Sequence, residues 1–118
     1  MFERLAGEDF AYLTTIGRRS GQPHRIEIWF AVDAGDLFLL SGGGDAADWV
    51  KNIRRNGHVR IQVGSRSVAG RARIARAGQE DQHARQLLDE KYMDWKPGRK
   101  LSSWARGSTA VVVKLPAR

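Results

Sequence analysis

Cysteine is absent from the sequence, and long apolar runs are absent too. Without cysteine the chain cannot form a disulfide, bind a metal through a thiolate or use a cysteine nucleophile. No apolar stretch approaches the roughly 20 residues that a helix needs to cross a membrane. The N-terminal sequence MFERLAGEDF carries charges where a signal peptide has its apolar segment, so we expect a cytoplasmic protein without a membrane span.

Motifs for hydrolysis, metal binding and nucleotide binding are missing as well. His24, His58 and His83 are isolated from one another, so no HxH or HExxH spacing predicts a metal site. The sequence has no GxSxG elbow, no GxGxxG and no GxxxxGK[ST]. Glu27 is the one acid in the middle of an apolar strand, but it shares the polar face with Arg25, which favours a solvated cross-strand pair. We therefore predict no metal and no catalytic side chain.

Positive charge, in contrast, is in excess. Twenty Lys and Arg against 13 Asp and Glu give a formal net charge of +7. The basic residues concentrate at 18–19, 54–55, 71–76 and 96–100. This bias indicates either a basic surface or an anionic partner, which could be nucleic acid or a small ligand with phosphates or carboxylates. Charge by itself does not choose among these.

Hydrophobic periodicity predicts a mainly β (α+β) fold. Residues 24–32 alternate strictly between an apolar and a polar face, which predicts one half-buried strand. A short helix should follow the glycine-rich segment, with Asp45 capping its first amides, and a second helix should cover 79–92. Strands are predicted over 11–16, 24–32, 37–41, 58–63, 68–77 and 109–115, with one helical turn around 102–106. Because hairpins join most strands, we expect residues 1–118 to form a single small antiparallel barrel domain of about six strands with two to three helices.

Two glycine-containing segments have the chemistry of an anion site. The loop GRRSGQPHR offers the cations Arg18, Arg19 and Arg25, the Ser20 hydroxyl and backbone amides around Gly21. The second segment, SGGG, lies between a strand and a helix, where glycines allow close backbone approach to an anion. A tight turn explains either segment equally well. If the two loops lie side by side at one end of the barrel, they form one polyanion site from residues 18–21 and 41–44.

Tryptophan is frequent for a chain of this length. Trp29 lies on the strand face opposite the aliphatic stripe, and Trp95 and Trp104 lie in a polar loop. Most tryptophans are packed into a core. These three, away from the apolar stripe, are better suited to contact a flat ring system.

The motifs occur in an order that resembles one family. YLTTIGRRSGQPH, IEIWF, LFLLSGGG, DWVKNIRRN and HVRIQVG follow one another as in the deazaflavin-dependent nitroreductase and quinone reductase family, and the resemblance covers most of the chain. It implies a split β-barrel like that of flavin-binding pyridoxamine-phosphate oxidases. It also implies binding of the deazaflavin coenzyme F-420, whose tail carries a phosphodiester and several glutamates.

The resemblance assigns roles to particular positions. The polar tail and the ring edge would be held by Arg18, Arg19, Ser20, Gly21, Ser41, Gly42, Gly43 and Gly44, and Trp49 would pack near the ring. Some members have a lysine where this chain has Gly42. Tyrosines that face substrate in nitro-reducing members have no clear match, and the nearby aromatic residues are Tyr92, Trp95 and Trp104. With Trp29, these are the candidate substrate-pocket residues.

The leading hypothesis is therefore an oxidoreductase that transfers hydride from the reduced deazaflavin to a quinone-like, nitroaromatic or other activated acceptor, with no part for nucleic acid. One alternative keeps the fold but binds FMN, or binds a ligand without turnover. Another is a basic nucleic-acid-binding barrel that uses Arg71, Arg73 and Arg76 with tryptophan stacking platforms. A homodimer is compatible with the sequence but is not required by it.

Overall fold

The computed structural model describes residues 2–116. Within that part of the chain there are seven strands, three α-helices and two short 3-10 helices. The strands are β1 (Ala11–Ile16), β2 (Pro23–Ile28), β3 (Ala31–Asp33), β4 (Asp36–Ser41), β5 (His58–Val63), β6 (Arg66–Ile74) and β7 (Thr109–Lys114). The α-helices are α1 (Asp48–Arg55), α2 (Gln79–Met93) and α3 (Ser103–Gly107), and the 3-10 helices cover Glu3–Leu5 and Gly44–Ala46.

All seven described strands belong to one antiparallel sheet, in the order β2-β1-β5-β6-β7-β4-β3. The sheet curls into a half-barrel, which confirms the predicted split-barrel fold. Consecutive strands β2 and β3 lie at opposite edges of this sheet. Only two residues, Trp29 and Phe30, connect these two edge strands. That residues 1–118 form a single domain stays a prediction.

The prediction of one continuous strand over residues 24–32 is wrong. Strand pairing stops after Ile28 and resumes at Ala31 with a different partner. At the break, the Tyr92 hydroxyl accepts a hydrogen bond from the Phe30 amide (3.0 Å), and Lys91 Nζ donates one to the Phe30 carbonyl (3.0 Å). Side chains of α2 thus supply the hydrogen bonds that a neighbouring strand would otherwise give, which lets the fully buried Phe30 leave the sheet. This break is the source of the seventh strand.

Strands β4 and β7 are buried on both faces. Leu37, Leu39, Val111 and Val113 pack into the core cluster that also holds Phe2, Phe30 and Ile61. The alternate residues Phe38, Leu40, Ala110 and Val112 pack under α2 and α3 with Leu88 and Ala105. Two-sided burial explains why LFLL and AVVV are continuous apolar runs, whereas β1 and β5 alternate.

The predicted helix after the glycines is present, but its predicted cap is wrong. Ala47 occupies the N-cap position of α1 without a side-chain hydrogen bond, and Asp45 lies in the preceding 3-10 turn. The Asp45 carboxylate instead accepts a hydrogen bond from the Thr109 hydroxyl (2.7 Å), which is the main reason that its pKa lies below the usual value. This hydrogen bond therefore connects the glycine segment to β7. Val50 and Ile53 of α1 are buried in the core.

Candidate functional site

A groove of about 490 Å³ runs between the β1–β2 loop, strand β2 and the first turns of α1. This volume falls in the range of small-molecule sites. The groove, here called the arginine groove, is lined by Thr15, Gly17, Arg18, Arg19, Ser20, His24, Arg25, Ile26, Asp48, Trp49 and Asn52. It unites four of the predicted site residues with others that the sequence did not single out.

Glycines give the β1–β2 loop its tight shape. The Gly17 amide donates to the Gln22 carbonyl (2.8 Å), and the Gly21 amide donates to the Gly17 carbonyl (2.9 Å). Gly21 has φ +72°, a conformation that favours glycine. A Cβ at Gly17 would lie 2.5 Å from both His24 Nε2 and Ser20 Oγ. Glycine at 17 thus lets the Ser20 and His24 side chains pack closely against the loop, and glycine at 21 suits its backbone conformation.

Asn52, a residue that the sequence did not single out, connects this loop to the sheet. Its side chain is buried; Oδ1 accepts hydrogen bonds from the Arg18 amide (3.1 Å) and from Arg18 Nη1 (2.9 Å). Its Nδ2 donates to the Thr15 hydroxyl (3.1 Å), which is also buried. Arg18 further contacts the Asp48 carboxylate at 3.2 Å. Much of the hydrogen-bonding capacity of Arg18 thus positions the loop against α1.

Arg19, Ser20 and His24 present their polar groups to the groove. Arg19 is exposed and, among residues 2–116, has no hydrogen-bond or ion-pair partner. The Ser20 hydroxyl accepts from the Gln22 amide (3.1 Å) and lies 3.3 Å from His24 Nε2. Arg25, on the same strand, lies over the Tyr12 ring, with Cζ 4.1 Å from the ring centroid. The groove therefore has an uncommitted cation at Arg19 beside a hydroxyl and an imidazole.

A second, smaller depression lies further along β2. This depression, here called the aromatic trench, has a volume of about 260 Å³ and is lined by Glu27, Ile28, Trp29, Leu40 and Trp104. Trp29 is 42% exposed and stacks on Tyr92, with ring centroids 4.4 Å apart and planes 2° from parallel. Trp104 meets Trp29 edge to face at 5.4 Å. Three of the four predicted substrate-pocket residues thus form one aromatic cluster.

Contacts with α2 fix the other two rings of this cluster. The Tyr92 hydroxyl bonds to the backbone of Phe30, and burial raises the pKa of Tyr92. Trp104 sits on α3, whose first turn is held by Asp89: the carboxylate accepts from the Ser102 amide (2.7 Å) and from its hydroxyl (2.6 Å). Trp95 lies apart from the cluster. Its indole donates to the Arg99 carbonyl (2.8 Å), and it lines neither depression.

The glycine segment Ser41–Gly44 lies beside the trench. A Cβ at Gly42 would be 3.4 Å from Trp104 Nε1, and Gly44 has φ +66°. Ser41 is buried, and its hydroxyl donates to the Gly44 carbonyl (2.9 Å), closing the turn. None of these four residues lines the arginine groove. That the two glycine loops form one anion site stays a prediction.

Two of the arginines on β6, Arg71 and Arg73, have side-chain partners. Arg73 forms a bidentate ion pair with Glu80, with Nη1–Oε1 and Nη2–Oε2 distances of 2.5 and 2.8 Å. This pair raises the pKa of Arg73 and lowers the pKa of Glu80 to about 2. Arg71 contacts His58 Nε2 at 3.2 Å. None of the four tryptophans lies on β6. Two of the three arginines on β6 thus have side-chain partners, and the strand carries none of the aromatic stacking platforms that a single-strand nucleic-acid surface needs.

Comparison with known families identifies the family of this chain. The model of the F420H2-dependent quinone reductase family matches residues 1–116. The chain belongs to this family. It is thus a deazaflavin-dependent reductase, and the coenzyme of its family is F-420.

Solved structures similar to this family member share its fold. One is a candidate 5-nitroimidazole antibiotic resistance protein from Bacteroides thetaiotaomicron, with TM-score 0.74, 15% identity and coverage of 98% of this chain and 78% of that one. A candidate pyridoxamine 5'-phosphate oxidase from Listeria innocua has TM-score 0.71 and 18% identity, covering 96% and 88%. An F420-H2 dependent reductase has TM-score 0.69 and 21% identity, covering 90% and 94%. No curated protein matches the sequence significantly.

The arginine groove fits the coenzyme of this reductase family. Phosphodiester and carboxylate groups require cations and hydrogen-bond donors, which Arg19 and the Ser20 hydroxyl present at the groove. Trp49, at the start of α1, lines the same groove and offers an aromatic face for a ring. No helix within residues 2–116 is long and apolar enough to span a membrane.

Proposed function

We propose that this reductase transfers hydride from reduced coenzyme F-420 to a planar quinone-like, nitroaromatic or other activated acceptor. The observation that carries the proposal is the position of β2, which borders both depressions. Arg25 and Ile26 line the arginine groove, while Glu27 and Ile28 line the aromatic trench. Along β2, a basic groove is thus followed by an aromatic trench. This arrangement matches a ligand with a polyanionic tail and a flat ring that lies next to a flat acceptor.

On the coenzyme side, Arg19, Ser20 and Gly21 bind the anionic tail, and Trp49 contacts the ring. Arg18 contributes mainly by holding the loop against Asp48 and Asn52. Ser41, Gly42, Gly43 and Gly44 offer close backbone approach to the ring edge, because Gly42 and Gly43 leave room that a side chain would occupy.

On the acceptor side, Trp29 and Trp104 provide the faces against which a flat ring packs, and Tyr92 supports Trp29 from behind. When bound, the reduced deazaflavin supplies a hydride. The protein contributes orientation, charge and partial exclusion of water. No side chain needs to act as a general acid, because solvent can protonate a reduced quinone.

A titration tests binding. The purified protein, followed by tryptophan fluorescence, should bind F-420 more tightly than FMN, and reduced F-420 with menadione should give turnover. Salt should weaken coenzyme binding, because the proposed tail contacts are between opposite charges. Equal or tighter binding of FMN, or no oxidation of reduced F-420 in the presence of menadione, would refute the proposal. The cytoplasmic location and a homodimer stay predictions.

A matched pair of variants tests the acceptor side. Trp29→Ala removes a trench wall, whereas Trp95→Ala removes a tryptophan that lines neither depression. We expect Trp29→Ala to raise the KM for menadione and Trp95→Ala to leave it near the wild-type value, with F-420 affinity similar in both. If Trp95→Ala raised the KM for menadione and Trp29→Ala left it unchanged, the acceptor would instead bind at the loop of residues 94–100.

A further inference from the structure

One of the residues that line the aromatic trench, Glu27, carries a carboxylate. Of the described residues that line it, only Glu27 carries a charge. Glu27 is exposed, and within residues 2–116 no hydrogen bond or ion pair of its carboxylate is found. The sequence favoured a surface pair with Arg25, but Arg25 instead stacks on Tyr12 and donates to Gln62 Oε1 at 3.3 Å. The charge of Glu27 is therefore free to act on whatever occupies the trench.

Charge changes sign along β2. Arg25 lines the arginine groove and Glu27, two residues further on, lines the aromatic trench. Side chains two residues apart in a strand lie on the same face, separated by about 7 Å. The groove thus favours anions, while the trench combines a carboxylate with two indole rings. A carboxylate beside aromatic faces is a favourable environment for an organic cation.

We infer that Glu27 determines the charge preference of the acceptor site, so that planar acceptors with a positive substituent are used in preference to anionic ones. This inference rests on the proposed function and adds the charge class of the acceptor. The hydride that the acceptor gains comes from the reduced coenzyme, which is oxidised. A quinone takes up one further proton from solvent, and its charged substituent is unchanged by the reaction. Glu27 acts through its field on the substituent and is a specificity-determining residue, not a proton donor.

The size of the effect follows from Coulomb's law. At about 7 Å in a water-like medium, two unit charges change an equilibrium about threefold. The carboxylate attracts a cationic acceptor and repels an anionic one by similar factors. Removing it should therefore change the ratio of kcat/KM for the cationic acceptor to kcat/KM for the anionic one by about tenfold. A neutral acceptor should be affected less than about twofold, because it has no net charge for the field to act on.

Three naphthoquinones that differ in one substituent test the inference: menadione with a methyl group, and analogues with a trimethylammonium or a sulfonate group. The measured quantity is kcat/KM for each with reduced F-420. We expect the cation-to-anion ratio to fall about tenfold in Glu27→Gln and to fall further in Glu27→Lys, with menadione near wild type in Glu27→Gln. Glu90→Gln, which removes an exposed carboxylate that lines neither depression, should keep the wild-type ratio.

Direct binding provides a second readout that needs no turnover. The cationic and anionic quinones should quench the tryptophan fluorescence of coenzyme-free protein with affinities whose ratio again depends on Glu27. The inference is overturned if wild type and Glu27→Gln show the same cation-to-anion ratio, or if Glu90→Gln changes it as much. Loss of wild-type activity with all three quinones would instead count against the proposed function, while a Glu27-dependent binding ratio would still support the inference.

Discussion

Replacing Asn52 by alanine should destabilise the protein and loosen the coenzyme loop together. The substitution removes the acceptor of the Arg18 amide and of Arg18 Nη1, and the donor to the Thr15 hydroxyl. Thr15 is 1% exposed and Asn52 is 4% exposed, so water does not readily replace these bonds. A buried polar group without a partner costs about 1 to 3 kcal/mol, and the small cavity adds to this. We expect a loss of about 2 to 4 kcal/mol in the free energy of unfolding.

Urea unfolding followed by tryptophan fluorescence measures this loss. Asn56→Ala is a matched control, because Asn56 Oδ1 accepts one solvent-exposed hydrogen bond, from the His58 amide (3.0 Å). The control should lose less than about 1 kcal/mol. Adding Thr15→Val to Asn52→Ala should recover part of the loss, since it removes the stranded hydroxyl. F-420 binding should weaken more in Asn52→Ala than in Asn56→Ala, because only the former loses the bonds to Arg18. Equal unfolding midpoints for the two single variants would refute the role given to Asn52.

Other expectations concern the loop and acid stability. Arg19→Ala should weaken F-420 binding about tenfold without changing the unfolding midpoint, because Arg19 has no partner among the described residues; unchanged affinity in low salt would contradict this. Gly17→Ala should reduce F-420 binding, because its Cβ would collide with neighbouring side chains, whereas Gly7→Ala meets nothing within 4 Å and should bind normally. Glu80, whose pKa is lowered from 4.5 to about 2 mainly by the hydrogen bond from Arg73, contributes stability that is present above pH 4.5 and lost as the pH falls towards 2. Glu80→Gln should therefore be less stable than wild type at neutral pH. In thermal melts, the difference in melting temperature between the two proteins should disappear at pH 2. A difference that stays constant with pH would show that the ion pair is not responsible.

Local patterns in the sequence predicted most of the elements. The alternation in HVRIQV and the continuous apolar runs of β4 and β7 reflect burial on one face and on two faces, so these strands were recognisable. Gly21 indicated a turn, because the positive φ that it adopts depends only on the local backbone. Asn52 was not recognisable. Its partners are 34 and 37 residues away, and a single asparagine in a helix carries no signal of them.

Two of the predictions that were wrong share one cause. Residues 24–32 have the periodicity of a strand, yet the chain leaves the sheet at Phe30, because Lys91 and Tyr92 of α2 satisfy its backbone. Asp45 has the spacing of a helix cap, yet Thr109 and Arg54 bind its carboxylate. In both places a residue more than 8 positions away, brought close by folding, offered a better hydrogen-bond partner than the local one.

The sequence by itself determined most of the elements, the two glycine-containing loops and the family, because each depends on neighbouring residues or on motif order. Only the tertiary structure decided which of these features meet. It joined Trp29 to Tyr92 and Trp104, set Trp95 apart, and placed Arg25 and Glu27 of one strand at two different depressions. The physical reason is that stacking, burial and hydrogen-bond satisfaction act between residues distant in sequence, and local periodicity does not encode their pairing.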